Sequence, residues 1–358
     1  MTYFNQIKDT EIALPPLRHG GMCGEFKLEA FKGFEFPKGS GIIYEYPGSR
    51  RLLMDWTDNL IVNQGLNFYG LDTNPNAMAK CHVGSGNTAP VDGDTQLQTF
   101  IASAGFGDSN STAQGSAPYY GVEENTYTFN PGFGGGPVNI NEIAAAETDT
   151  VTSITARSLT VDGVGAPTTI SVLADEYLQA FYRRRNYPGH LVEATGAPTD
   201  DTDIVTVQGI PYTYTIRPAM VTQGGSHASP STHGWGTGPR FPLVPTFGFG
   251  NNTSRQALAG TSVAVLGAVT STLSAFQSSP NHNSDSGVGS YSAGTFNREI
   301  WYQWGINNAN DVGGIKGLFL KTSMGAYQMT FDIVIPKVFG EVFTFYHNFS
   351  WNRKNTWI

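Results

Sequence analysis

The chain has 358 residues, room for two or three domains of roughly 100–200 residues each. Hydrophobic residues make up 39 %, enough for sizeable cores, while only 14 % are charged against the roughly 25 % usual in soluble domains. The net charge is −8 and the one dense basic cluster is Arg183, Arg184 and Arg185, which argues against a nucleic-acid surface, since that needs a broader basic footprint.

Residues 1–44 read as an extended N-terminal arm. Pro15, Pro16, Gly20, Gly21 and Gly24 are followed by the alternating GEFKLEAFKGFEF. An arm that cannot bury its own Leu and Phe residues docks on a neighbouring subunit; the other course is to pack on its own chain, and both are open here. The opening MTYFNQIKDTEIALPPL lacks the regions of a signal peptide. No apolar run approaches ~18 residues, so no membrane span is expected.

Next, Leu52, Leu53 and Trp56 predict a strand, and NQGLNFYGL predicts one or two helical turns from Asn63 to near Gly70. AKCHVGSGN reads as a strand entering a turn, and DGDTQLQTFI as a second short turn or strand. From Tyr127 the β signals dominate: YTF, then PGFGGG, VNINEIAAAE, SITARSLTV and TTISVLADEYLQAFYRRRNYP. Apolar, β-branched and aromatic residues at period two, broken by Gly, Pro and Asp, indicate an all-β sandwich. The second half repeats this grammar in TYTIRP, TSVAVLGAVTSTLSAF, EIWYQWGI, GGIKGLFLKTS, AYQMTFDIVIPK and EVFTFYHNFSWNR. Each half ends on a long aromatic strand running into Arg and Asn, as a tandem duplication would. The chain is therefore expected to be mainly β: the arm (1–44), a first antiparallel β-sandwich domain (45–190) and a second with long loops (191–358), with one or two short helices.

Within the second half, residues 222–256 and 278–297 are rich in Gly, Ser, Pro and Asn. Loops of that length are commonly functional or disordered. Trp235, Phe241, Phe247, Phe249 and Tyr291 are interspersed in them and stand as candidate interface or receptor contacts.

Candidate chemistry is thin. VGSGNTAPVDGDTQL, residues 83–97, lacks the lysine of a phosphate-binding Walker loop, and Ala89 stands where GxGxxG needs its third glycine. Asp92 and Asp94 resemble the start of a calcium loop, but Ser103 occupies the position of the closing glutamate. The segment reads as a turn, with Asp92 or Asp94 capping residues 95–101. His227, His233, His282 and His347 show no metal-ligand spacing. No nucleophile elbow is present. The pairs Glu123–Glu124 and Asp200–Asp201 lie in polar, turn-like stretches. Cys23 and Cys81 are too few for a disulfide framework or zinc site; they are two free thiols or a single bridge. No catalytic residue, cofactor site or metal site is expected.

The string WTDNLIVNQGLNFYG followed by VGSGNTAPVDGDTQL resembles structural proteins of tailed-bacteriophage virions, in which an "NLI-x-N-x-GL" helix precedes "VGSG-x-T-x-P" and an acidic "D-T-x-L". YTFNPGFGGGPVNINEIAAA, TARSLTVDGVGAPTTISVLADEYLQAFYRRRNYP and the C-terminal WGINNANDVGGIKGLFLKTSMGAYQMTFDIVIPK are similar to tail-associated and fibre-like proteins. The resemblance covers residues 52–190 and 300–353. It implies a non-enzymatic virion component of the tail, collar, baseplate or fibre-attachment region, assembled in the host cytoplasm as a symmetric oligomer. Its partners would be other copies of itself and other tail or portal-proximal proteins. Two alternatives are a receptor- or carbohydrate-binding tail module, with Trp235 and Tyr291 stacking on a host surface glycan, and a glycan-degrading tail enzyme with two acids in a cleft.

Overall fold

A computed structural model describes residues 9–13, 17–71, 76–113, 120–133, 135–187, 200–207, 209–219, 256–260, 266–267, 285–310, 314–322 and 325–354. The chain is mainly β, as expected. Its first half runs β1 (Asp9–Ala13), β2 (Leu17–Glu35), β3 (Ile43–Glu45), β4 (Arg51–Asp58), β5 (Leu60–Ile61), helix α1 (Asn63–Gly70), β6 (Lys80–Gly84), β7 (Phe100–Ala113), β8 (Gly121–Phe129), β9 (Val138–Ile140), β10 (Glu142–Ala146), β11 (Ile154–Leu159), β12 (Ile170–Val172) and β13 (Glu176–Tyr187). The second half adds β14 (Asp201–Val207), β15 (Ile210–Ala219), β16 (Gln256–Gly260), β17 (Asp285–Val288), β18 (Asn297–Trp304), β19 (Ile315–Thr322), β20 (Gly325–Ile335) and β21 (Val342–Arg353). Helix α1 falls where the NQGLNFYGL segment predicted it.

The strands form a 14-stranded sheet along the path β17-β18-β21-β2-β13-β8-β7-β6-β10-β11-β5, with β1, β3 and β4 off that path, a 5-stranded sheet β14-β15-β20-β19-β16 and a 2-stranded sheet β12-β9. Strand β7 makes the first corner. Its start pairs with β6 and its end with β8, the switch falling beside Gly105 and Gly107. The sheet thereby turns back on itself, a common way of closing a sandwich. Tyr127 of β8 reaches across the two layers and donates its hydroxyl to the Met78 carbonyl at 2.6 Å. Phe26, Leu28, Tyr127, Leu178 and Tyr182 from one layer share a core with Cys81, Val83, Ile143 and Ala156 from the other. In the second half, Ile300, Trp304, Phe343 and Phe349 of the large sheet pack with Tyr214, Leu318, Tyr327 and Phe331 of the smaller one.

The N-terminal segment expected as an arm is a central element. Strand β2 pairs along one edge with β13 over twelve positions, and along the other with β21, β4 and β3 in turn. Its pairing with β21 is parallel, as is that of β1, which departs from a wholly antiparallel plan. Parallel neighbours need a long crossover, and here almost the whole chain supplies it. The division expected between residues 190 and 191 does not part the large sheet, because β18 and β21 join it to β2 and β13. Of the two fates open to the arm, Phe26, Leu28 and Ala30 pack on their own chain.

Helix α1 has only eight residues, too short to stand alone in water. The second half of the chain holds it. Trp351 donates its indole N–H to the Leu66 carbonyl at 2.7 Å, and Arg298 donates to the Gly70 carbonyl at 2.5 Å. A cation at a helix C-terminus also complements its dipole. Arg353 binds the Ile61 carbonyl, the Asn63 amide oxygen and Asp92.

Cys23 and Cys81 are both free and buried, so of the two readings the free thiols hold. Burial pushes the Cys23 thiol up to about 12 and the Cys81 thiol further still. Only the thiolate is nucleophilic. Titration with an aromatic disulfide reagent should find neither thiol in the native protein and both after denaturation in guanidinium; rapid modification of native protein would contradict this burial.

Candidate functional site

The glycine-rich motif proves to be a packing device. Residues 85–99 lie over the outer face of β10 and β11, where Leu97 joins Val62, Ala144, Ala146 and Ile154 in a small separate core. That cover buries Glu142 completely. Its two oxygens accept from the backbone N–H of Gly86 (2.9 Å), Gln98 (3.0 Å) and Thr99 (2.8 Å), and from the guanidinium of Arg157 at 2.8 and 3.1 Å. Arg157 continues to Asp94 at 2.6 Å and to the Thr88 carbonyl at 2.8 Å. Gly84 and Gly86 are required by close approach: a Cβ on either would lie 2.5–2.6 Å from a Glu142 oxygen.

The aspartates do not cap residues 95–101 as expected. Asp94 accepts from the Val91 N–H on its N-terminal side and pairs with Arg157, while Asp92 pairs with Arg353 at 3.0 Å. Arginines thus take the places a cation would have occupied, and among the described residues no group of three His, Cys, Asp or Glu could hold a metal. Glu123 and Glu124 alternate faces of β8, so the adjacent pair is not a dyad. Glu123 faces inward, 3.7 Å from Arg184, and burial pushes its carboxyl up to about 7 against the pull of that arginine. Asp200 is held by Arg217 at 2.5 Å. No helix among the described residues is long and apolar enough to cross a membrane.

Of the aromatic candidates, Trp235, Phe241, Phe247 and Phe249 lie outside the described residues. Tyr291 is half-buried. It stacks on Trp351 with ring centroids 5.8 Å apart, donates its hydroxyl to the Asn67 amide oxygen at 2.7 Å, and covers Gly70 so closely that a Cβ there would sit 2.3 Å from the ring.

Among the described residues a row of exposed apolar side chains lies elsewhere, on the hairpin at the end of β2. Strand β2 outruns the core it covers. Its inward positions Phe26, Leu28 and Ala30 are buried, and beyond Lys32 the same period-two face carries Phe34 and Phe36 into water. Strand β3 returns beside it with Phe34 opposite Tyr44, and the Phe36 N–H donates to the Ile42 carbonyl at 3.0 Å. Phe34, Phe36, Ile42, Tyr44 and Tyr46 therefore share one face; each is about half exposed and Phe36 reaches 63 %. Phe34 packs against Tyr44 and Tyr46, each at 5.6 Å. Five such side chains leave on the order of 500 Å² of apolar surface in water. That is the upper end for a monomer, where such patches mark interaction sites.

This surface is held rigidly. Gly39 and Gly41, with φ of 82° and 74°, make the tip, and the Gly41 N–H donates to the Glu35 carboxylate on the reverse face. At the base, the Arg50 guanidinium lies 4.6 Å over the Phe31 ring and donates to Glu29, Glu45 and Gln179. The sequence signal was the alternation in GEFKLEAFKGFEF followed by KGSG.

The fold and this surface define a mainly-β, sandwich-like protein presenting a preformed apolar hairpin. No protein family, no curated protein and no solved structure matches the chain.

Proposed function

We propose that this chain is a non-enzymatic structural subunit of a symmetric assembly, of the tailed-phage virion kind that its sequence resembles, and that hairpin 33–46 is one of its contact surfaces. The observation that carries the reading is the row of five exposed apolar side chains on one face of a braced hairpin. Aromatic anchors of this kind dominate the energetics of protein interfaces. Two further features support it. The phage-like motif is absorbed into packing through Glu142 and Arg157, and the low charge density leaves broad polar surfaces that dock without burying ions.

Light scattering coupled to size exclusion tests this. The wild type at micromolar concentration should have a mass several times that of one chain, and the Phe34→Ser/Phe36→Ser/Tyr44→Ser variant should run as a folded monomer. A monomeric wild type overturns the proposal. The alternative of a glycan-binding module draws on the same exposed Tyr44 and Tyr46 rings, which a sugar could stack on. It requires glycan-array binding that the triple variant loses.

A further inference from the structure

Resting on that reading, we infer that copies of this chain associate head to tail, the hairpin 33–46 of one copy seating on the turn 336–341 of the next. The second surface is as distinctive as the first. Phe339 is 76 % exposed, with Val338 and Ile306 exposed beside it. The turn that presents it is built around a caged cation: Lys337 is buried and donates to the carbonyls of Gly305 (3.1 Å) and Glu341 (3.0 Å) and to the Asn310 amide oxygen (2.8 Å). The Gly340 N–H donates to the Ile306 carbonyl, and Gly340 itself sits at a φ of 90°. Among the described residues this tip is left largely uncovered on a turn that is firmly held.

The sheet sends the two surfaces to opposite ends of one strand direction. Strands β21 and β2 run parallel, with Met22 opposite Arg353. The turn precedes the first residue of β21, and the hairpin begins in the last three residues of β2. Between them lie about twenty-five residues of strand, ~80 Å of path at ~3.3 Å per residue. The two tips therefore point away from each other along this axis, and two copies aligned along it bring unlike tips together. A contact between unlike patches is heterologous, and it closes into a ring when the rotation between copies permits.

Area favours a second copy as the occupant. The ~500 Å² offered by the hairpin's side chains is more than half of the ~800 Å² per partner in a standard stable interface, and Ile306, Val338 and Phe339 add apolar surface on the other side.

Mixing variants tests the polarity. Phe339→Asp removes the turn surface, and the triple hairpin variant removes the other; Val338→Ser/Phe339→Ser provides an uncharged second form of the turn variant. All alter exposed side chains, so their circular dichroism and melting should match the wild type. Each variant alone should be monomeric by light scattering. An equimolar mixture of a turn variant with the hairpin variant should form a one-to-one dimer and nothing larger, because one intact hairpin and one intact turn then meet only once. If the wild type is oligomeric but both turn variants keep its mass, or the mixture stays monomeric, the head-to-tail contact is wrong while the assembly reading stands. A monomeric wild type overturns both.

Discussion

Glu142→Gln will cost about 3 kcal/mol or more of unfolding free energy, a large share of the roughly 5–15 kcal/mol available to a folded domain. The side chain is fully buried, and its two oxygens take three backbone N–H donors and two from the Arg157 guanidinium. A glutamine keeps the shape but offers one acceptor oxygen and an NH₂ that must face donors. At least one loop N–H then loses its partner, and Arg157, itself buried, keeps only Asp94 and a carbonyl. Removing one member of a buried ion pair typically costs about 3–5 kcal/mol, and an orphaned buried N–H about 1–3 more. Asp94→Asn removes the partly exposed end of the same network and should cost only about 1 kcal/mol. Guanidinium unfolding of the three proteins checks the order. A Glu142→Gln variant within 1 kcal/mol of the wild type would show that the loop 85–99 is not anchored through this carboxylate.

The same network shows how far local pattern carries. Strand β4, helix α1 and strand β6 are legible because each rests on a short run of residues whose spacing and bounding glycines act locally. The turn at 91–94 is legible for the same reason. The direction in which Asp94 works is not, since Arg157, 63 residues away, decides it. The placement of β2 is a stronger case. Its alternation announces a strand, but a strand's partners are set by ladders that close over long separations, and Met22 meets Arg353 only once the whole chain has folded. Tyr291 reads as a loop aromatic, yet its ring and hydroxyl are committed to Gly70 and Asn67, more than 200 residues earlier. The hairpin is the converse. Phe34 and Phe36 are at the right period to be core, and nothing local says that β2 passes beyond the layer that covers Phe26 and Leu28. Exposure is a property of what lies opposite, which one strand's sequence does not carry.

Gly65→Ala should destabilise by about 2–4 kcal/mol, although helix propensity alone favours alanine by about 1 kcal/mol. Packing decides the sign. A Cβ on Gly65 would sit 2.1 Å from the Thr155 carbonyl oxygen and 2.9 Å from its carbon, and strand backbone at the start of β11 cannot swing aside as a flexible side chain does. That carbonyl also accepts from the Val62 N–H at 3.1 Å, and the Thr155 hydroxyl is tied to the Ala77 carbonyl at 2.5 Å. The helix must therefore move away from β11 by more than 1 Å to reach an ordinary contact of roughly 3.4 Å. Such a shift stretches the bonds that hold α1 to the second half of the chain, from Trp351 to Leu66 and from Arg298 to Gly70. Gly93→Ala is the control: its Cβ meets open space, its φ is ordinary, and its effect should stay within about 0.5 kcal/mol. Because Trp351 is buried against the helix, Gly65→Ala should also shift native tryptophan emission to the red, which Gly93→Ala should not. A Gly65→Ala variant as stable as the wild type, with unchanged emission, would mean that α1 does not rest on β11 at this distance and that the C-terminal strand does not depend on it.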